Sequence, residues 1–444
     1  MVQRTDFAAR TVAIFATLLI TLMMIPAAKA VEIDVNKGQI DPLPIAITAF
    51  VGTSQDSAQA GADIAGVIAN NLGRSGYFNP LPPDTYTEQF GSVEQAPNFG
   101  SWQAIQARAL VVGSAVQEGG KIRASFKLYD VNSGQVLASQ NLAGSPKLAR
   151  RMAHRISDQI YTALTGFGGY FDTRIVFINE TGDKSARIKK LAIMDQDGFN
   201  PRELPVGGDL ILTPRFSPSS NEVTYMSFDT GTPRVYIYNI DTRQKEIVGD
   251  FPNMSFAPRF SPDGNQVIMS LQSDDGNYSN LFDMNLQSRR LQQLTDVQAI
   301  NTAPSYSPDG RQIAFESDRG GTQQIYVMSA GGGGANRISF GKGRYSTPVW
   351  SPDGQWIAFT KNYDGKFAIG VMKPDGSGER ILTEGYHNEG PTWAPNSRVI
   401  MFFRESGGEQ GGAQLYSVDV TGYNEQPVQT PGFASDPAWS PRLN

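Results

Sequence analysis

Only two histidines occur in the 444 residues, His154 and His387, and they bound the chemistry this chain could perform. Their separation rules out a zinc-binding His pair on one helix, and a Ser-His-Asp triad would have to use one of the two. The Gly-x-Ser-x-Gly elbow of serine hydrolases does not occur, and neither does a Walker loop. Gly331 to Gly334 is followed by Ala335 and Asn336, which departs from Gly-x-Gly-x-x-Gly and reads as a flexible hairpin. Asp195-Gln-Asp-Gly198 and Ser273-Asp-Asp-Gly276 offer carboxylates, but Asp-Gly is ordinary turn chemistry. Cysteine is absent, which removes thiolate nucleophiles, thiolate metal sites and disulfides. These residues point away from catalysis, and no cofactor or metal is expected.

What repeats is a turn. Six segments align: Pro214-Arg-Phe-Ser-Pro218, Pro258-Arg-Phe-Ser-Pro262, Pro304-Ser-Tyr-Ser-Pro308, Pro348-Val-Trp-Ser-Pro352, Pro391-Thr-Trp-Ala-Pro395 and Pro437-Ala-Trp-Ser-Pro441. Their first prolines are 44, 46, 44, 43 and 46 residues apart, a period that fits the four short strands and turns of a propeller blade. Ser-Pro-Asp-Gly, intact at Ser261–Gly264, Ser307–Gly310 and Ser351–Gly354, has Pro to preset φ at its second position and Gly to close a type I turn. The Pro-x-aromatic piece before the turn is strand A. Runs such as Gln312-Ile-Ala-Phe315 and Gln324-Ile-Tyr-Val-Met328 are strands B and C, and Arg290-Leu-Gln-Gln-Leu294 is a strand D. The aromatics at strand A (Phe216, Phe260, Tyr306, Trp350, Trp393, Trp439) are expected to pack blade against blade rather than to form a ligand platform.

The last A strand has no B, C or D after it. Arg174-Ile-Val-Phe-Ile178, Lys190-Leu-Ala-Ile-Met194 and Arg202-Glu-Leu204 read as B, C and D with no A before them. A six-bladed ring closed by the C-terminal strand resolves that offset and removes the open sheet edges. Ahead of it, residues 43–165 form a mixed α/β domain. Pro44–Phe50 is a strand, and Ile64, Val67, Ile68 and Leu72 mark a helix face. Ala109–Val116, Lys121–Tyr129 and Gln135–Asn141 make a meander, and a last helix carries Leu148, Met152, Ile156, Ile160 and Leu164. Arg150, Arg151 and Arg155 of that helix are expected on a solvated face, and Gly166-Phe-Gly-Gly169 within a linker, residues 166–173, reads as a hinge to a propeller over 174–444.

Residues 1–30 carry Arg4 and Arg10, an apolar run from Thr11 to Ile25, and Ala28-Lys29-Ala30, the pattern of a cleaved secretory signal. A lipidated signal would need a cysteine. Cleavage would leave a mature chain more negative than the −5 of the whole, soluble beyond the inner membrane, with no footprint for nucleic acid or anionic lipid. Residues 31–42 follow, with Val31, Ile33 and Val35 alternating with Glu32, Asp34 and Asn36, either a frayed terminus or a recognition strand.

A propeller of this kind offers two loop faces. Strand order puts the short Ser-Pro-Asp-Gly turns on one. The D–A loops open on the other, with varied residues: Met254-Ser-Phe-Ala257, Ile300-Asn-Thr-Ala303, Arg344-Tyr-Ser346 and Tyr386-His-Asn-Glu-Gly390. Such side chains around a concavity are those of protein-binding hot spots. The ensemble of signal, α/β domain, C-terminally closed propeller and terminal Pro437-Ala-Trp-Ser-Pro441 resembles the TolB family of the Tol–Pal system, as does Val31-Glu-Ile-Asp-Val35 at the mature start. The resemblance implies a non-enzymatic Gram-negative periplasmic protein that supports outer-membrane integrity and invagination during cell division. It implies Pal lipoprotein at the propeller mouth, TolA on the N-terminal segment (Val31, Glu32, Ile33, Asp34, Val35), coupling between the two, and bacteriocin segments exploiting the same mouth. Ala257 and Thr302 match family Pal-contact positions, Met254 stands where relatives can carry His, and Tyr345 and His387 complete the expected contact set. The competing class is an enzyme-associated or carbohydrate-binding propeller, which would place a small molecule in the tunnel and require His387.

Overall fold

The computed structural model describes residues 41–408 and 411–443. The expected signal at 1–30 and the Val31–Val35 segment lie outside them. In the first domain, β1 (Leu43–Ile47) runs parallel to β2 (Phe78–Pro80) and β3 (Ala109–Glu118), and β4 (Lys121–Asp130) and β5 (Val136–Gly144) extend the sheet antiparallel in the order β2-β1-β3-β4-β5. Helices α1 (Gln55–Arg74) and α3 (Ala149–Thr165) cover one face, and the short α2 (Phe99–Ala104) lies on the other. Ser54 caps α1, its hydroxyl accepting from the Ser57 N–H at 3.2 Å, and supplies one acceptor for the unpaired amides of the first turn. Ile64, Ile68 and Leu72 of α1 and Met152, Ile156, Ile160 and Leu164 of α3 meet over the sheet, all buried at helical spacing. Helix α2 is too short to show an apolar period in the sequence. Its Trp102 is buried against Leu110 and Val112 and closes the second sheet face.

Six four-stranded sheets follow. The first complete blade is β9 (Ile211–Phe216), β10 (Glu222–Ser227), β11 (Arg234–Asn239) and β12 (Lys245–Ile247). Next come β13 (Ser255–Phe260), β14 (Gln266–Gln272), β15 (Ser279–Asn285) and β16 (Leu291–Gln293). The third is β17 (Asn301–Tyr306), β18 (Gln312–Ser317), β19 (Gln324–Ser329) and β20 (Ala335–Arg337). The fourth is β21 (Arg344–Trp350), β22 (Ile357–Tyr363), β23 (Lys366–Met372) and β24 (Arg380–Gly385). The fifth is β25 (His387–Trp393), β26 (Val399–Glu405), β27 (Ala413–Asp419) and β28 (Gln426–Pro427). The sixth joins β29 (Phe433–Trp439) to β6 (Arg174–Thr181), β7 (Ile188–Asp195) and β8 (Arg202–Glu203), so both ends of the repeat region share one sheet. Each A strand lies beside the next, and β29 beside β9, which completes the ring. The strand-A aromatics sit between blades: Trp393 Nε1 donates to the Val349 carbonyl of the preceding blade at 3.0 Å.

The first domain docks on the Ser-Pro-Asp-Gly face. Tyr77 Oη donates to Asp419 at 2.8 Å and accepts from Arg398 at 2.8 Å, and Asn424 reaches the Arg74 carbonyl at 2.7 Å. One apolar core runs through the seam, from Tyr161, Tyr170 and Phe171 to Met401, Leu415 and Trp439. The Gly166–Gly169 stretch is part of this packing. Gly166 caps α3 in the left-handed region at φ 73°, Arg398 stacks on Phe167, and the Phe171 amide donates to Asp158 at 2.7 Å. Arg150 and Arg151 depart from a solvated face, because α3 is flanked by the propeller as well as the sheet. Arg150 bridges to Asp195 and Asp197, Arg151 binds Asp172 at 3.0 Å, and Arg155 alone of the three is exposed. No helix among the described residues is long and apolar enough to cross a membrane.

Candidate partner-binding face

Every A strand is broken at the same place. The residue before the repeat proline has positive φ in all six: Thr213 49°, Ala257 51°, Ala303 48°, Thr347 47°, Gly390 65° and Asp436 47°. At each, the ladder to strand B slips by a β-bulge. Left-handed backbone in a non-glycine residue costs on the order of 1–3 kcal/mol, and five of the six are not glycine. The bulge turns backbone amides toward acidic side chains: the Thr213 N–H donates to Asp436 and the Thr347 N–H to Glu316, each at 3.3 Å. It also lengthens the strands. Ala257 and Thr302, expected just before their A strands, lie inside β13 and β17, because the irregular residue before proline disguises where the ladder starts.

Burial pushes the Glu316 carboxyl up to about 7, with Glu389 as a like-charged neighbour, and raises Asp436 as well. Arg215 and Arg259, at matching positions one residue past the bulge proline, stand near each other. Among the described residues the Arg259 guanidinium has no hydrogen-bond or ion-pair partner, and desolvation, with Arg215 nearby, disfavours its charge.

The D–A face carries exposed apolar side chains on loops from several blades. Phe340 (72% exposed) and Tyr386 (69%) head the set, with Ile300 (44%) and Leu210 (37%). The Ile300 loop is tied down by hydrogen bonds. Asn301 donates to the Ser279 and Ala299 carbonyls and accepts from Arg319 at 2.7 Å, and the Ile300 amide donates to Asp318 at 2.8 Å. Tyr345 departs from the expected contact set: it is fully buried, its hydroxyl is bonded to Glu379 at 2.9 Å, and Lys361 lies over its ring. It fixes the loop from beneath. A Cβ at Gly341 would fall 2.2 Å from its hydroxyl, so the loop can lie on Tyr345 only with glycine there. Met254, Ala257 and Thr302 are half-buried at the same face. Phe340 was not singled out from the sequence, and its signal was a lone aromatic in a Gly-rich D–A loop, Ser339-Phe-Gly-Lys-Gly343.

His387 is half-buried at the start of β25. Its Nε2 lies 2.9 Å from Glu389 and its Nδ1 3.5 Å from Glu405, which also faces Lys184 at 3.4 Å, and the ring stacks on Phe367 at 4.6 Å. The Glu389 hydrogen bond, opposed by burial and helped by both glutamates, raises its pKa above the ordinary 6.5. A raised folded-state pKa gives stability that is complete below the unfolded value and lost as pH rises through the folded one. His387→Gln is therefore expected to flatten the fall in melting temperature as pH rises above about 6.5. Paired melting curves of both proteins across that range check it, and parallel curves would contradict it. Neither histidine is hydrogen-bonded to a serine or threonine hydroxyl among the described residues: His154 is paired with Asn71 and His387 with Glu389.

Residues 31–137 match the model of the TolB amino-terminal domain, and residues 161–443 that of the TolB beta propeller domain. The crystal structure of TolB from Acinetobacter baumannii is similar at 27% identity and a TM-score of 0.79, covering 92% of this chain and 99% of that one. A structure described as TolB from Agrobacterium tumefaciens has 19% identity and a TM-score of 0.47, covering 60% of this chain and 91% of that chain. Hydrazine synthase of Kuenenia stuttgartiensis has 14% identity and a TM-score of 0.49, covering 61% and 48%.

Proposed function

The chain belongs to the TolB family, and from that premise we propose that it is a non-enzymatic periplasmic adaptor of the Tol–Pal system, binding Pal at the D–A face of the propeller and TolA through residues 31–35. The observation that carries the reading is the division of the two faces. The first domain occupies the Ser-Pro-Asp-Gly face, and Ile300, Phe340 and Tyr386 are exposed on loops of the other. Exposed apolar and aromatic side chains around a concavity are the residues that protein-binding hot spots use. Met254, Ala257, Thr302 and His387 lie with these anchors, and Tyr345 supports them. Linking the outer-membrane lipoprotein to TolA is the means by which the protein supports envelope integrity during division.

Coupling between the two partners has a physical route. The Leu43 amide that opens β1 donates to the Tyr77 carbonyl at 2.9 Å, and the Tyr77 hydroxyl holds Asp419 of the propeller. Strand β1, the first strand after the N-terminal segment, is therefore tied to the seam. We assign the segment two states, held against its own protein or released to TolA. The match to the amino-terminal domain model begins at Val31, next to the expected cleavage after Ala30, which supports export and an intact segment in the mature protein.

Deleting residues 31–39 from the mature protein is expected to abolish TolA binding while leaving the Pal affinity within about twofold. Isothermal titration with each partner checks it. TolA binding that survives the deletion would remove the segment from this account.

A further inference from the structure

His154 projects from α3 toward the turn that follows β7, and its imidazole is 95% buried. Its Nε2 has no hydrogen-bond partner and lies 4.0 Å from Asp195 Oδ2. Asp197, two residues on, has a side chain only 1% exposed, and one donor atom from each of the three residues falls within 4.8 Å of the others. Both carboxylates are held by Arg150, at 3.2 Å to Asp195, and its guanidinium lies over Phe199, 3.8 Å from the ring centre. An orphaned buried imidazole nitrogen beside two carboxylates is costly as a purely structural arrangement.

We propose that His154, Asp195 and Asp197 form a binding site for a divalent transition metal ion of the zinc class, with Arg150 competing for the same two carboxylates. The donor set fits: imidazole nitrogen and carboxylate oxygens suit zinc, at about 2.0–2.2 Å per bond. Tetrahedral ligands at that distance are about 3.3 Å apart, so the three donors need only a modest closing movement. Charge fits as well, since two carboxylates balance one divalent ion once the guanidinium withdraws.

The second shell can adjust. Asn71 donates to His154 Nδ1 at 2.9 Å and accepts from Gln196 at 3.1 Å. Rotating both amides turns the Asn71 oxygen to Nδ1, which then carries the ring proton and frees Nε2 for the metal. A groove of 920 Å³ lined by Arg150, Asp197, Phe199 and Val67 adjoins the cluster on its Asp197 side. His154 belongs to the first domain and the two aspartates to the closing blade, so a bound ion would clamp the seam on the side opposite the D–A face.

Titrating the mature protein with zinc chloride by calorimetry, and with cobalt chloride by visible absorption, tests this. One equivalent is expected to bind. His154→Gln and Asp197→Asn should each abolish it, His387→Gln should leave it unchanged, and Arg150→Met should tighten it by about tenfold. Melting curves establish that each variant is folded, and the two ligand variants guard against one that is not. Stoichiometric binding that survives His154→Gln, an unchanged affinity in Arg150→Met, or no binding by either the unaltered protein or Arg150→Met would each overturn the proposal.

Discussion

A chain that stops at Gly432 is expected to lose the cooperative melting of the propeller and to aggregate. Such a truncation removes β29, whose register to β6 runs from Phe433 opposite Glu180 to Trp439 opposite Ile175. It also removes the bolts on either side: Trp439 Nε1 donates to Thr173 at 2.8 Å, its amide donates to Thr392 at 3.1 Å, and the Ser440 amide reaches the Arg174 carbonyl at 2.9 Å. Trp439 is buried in the core shared by both domains, and Ala438 in the core shared with the next blade. Losing the Trp439 side chain alone costs about 3–5 kcal/mol, a large part of the roughly 5–15 kcal/mol that holds a domain folded. Trp439→Ala should therefore lower the melting temperature by about 10 °C. The truncation should go further, because β6 becomes an open edge that pairs with other chains. Calorimetry with size-exclusion chromatography checks both. A truncated monomer melting within about 2 °C of the full chain would show that the ring does not depend on its last strand.

The second large effect falls on binding rather than folding. Ile300→Asp and Tyr386→Asp place charges on exposed loop positions of two different blades, where substitutions usually change stability by no more than about 0.5 kcal/mol. At an interface each should cost about 2 kcal/mol or more, a loss of at least roughly thirtyfold in Pal affinity. Arg311→Glu, exposed on a Ser-Pro-Asp-Gly turn of the other face, should leave that affinity unchanged. Titration calorimetry against Pal measures all three. Loss of affinity in Arg311→Glu with none at Ile300 or Tyr386 would place the partner on the wrong face for this account.

The architecture was legible where chemistry is local. In Ser-Pro-Asp-Gly the Ser261 hydroxyl donates to Asp263 at 2.5 Å and the Gly264 amide returns to the Ser261 carbonyl at 2.9 Å, with Gly264 at φ 75°, so four residues specify the turn without help from the rest of the chain. Counting strands was enough to place β29 beside β6. Features set by distant partners were hidden. Thr213, Ala257 and Asp436 share no residue type that marks a left-handed bulge, since neighbouring blades impose it. Tyr345 looked like a surface aromatic because Glu379 and Lys361, which bury it, come later in the chain. Arg150 looked solvated because the aspartates it binds belong to the other domain.

The D–A face of the propeller should receive the partner while the opposite face carries the first domain. Hydrogen exchange of the mature protein, with and without saturating Pal, tests it most directly. Protection is predicted for amides in 296–302, 338–346 and 384–388, with none added at the turns 261–264 and 307–310. Protection confined to those turns, or to the first domain, would contradict it.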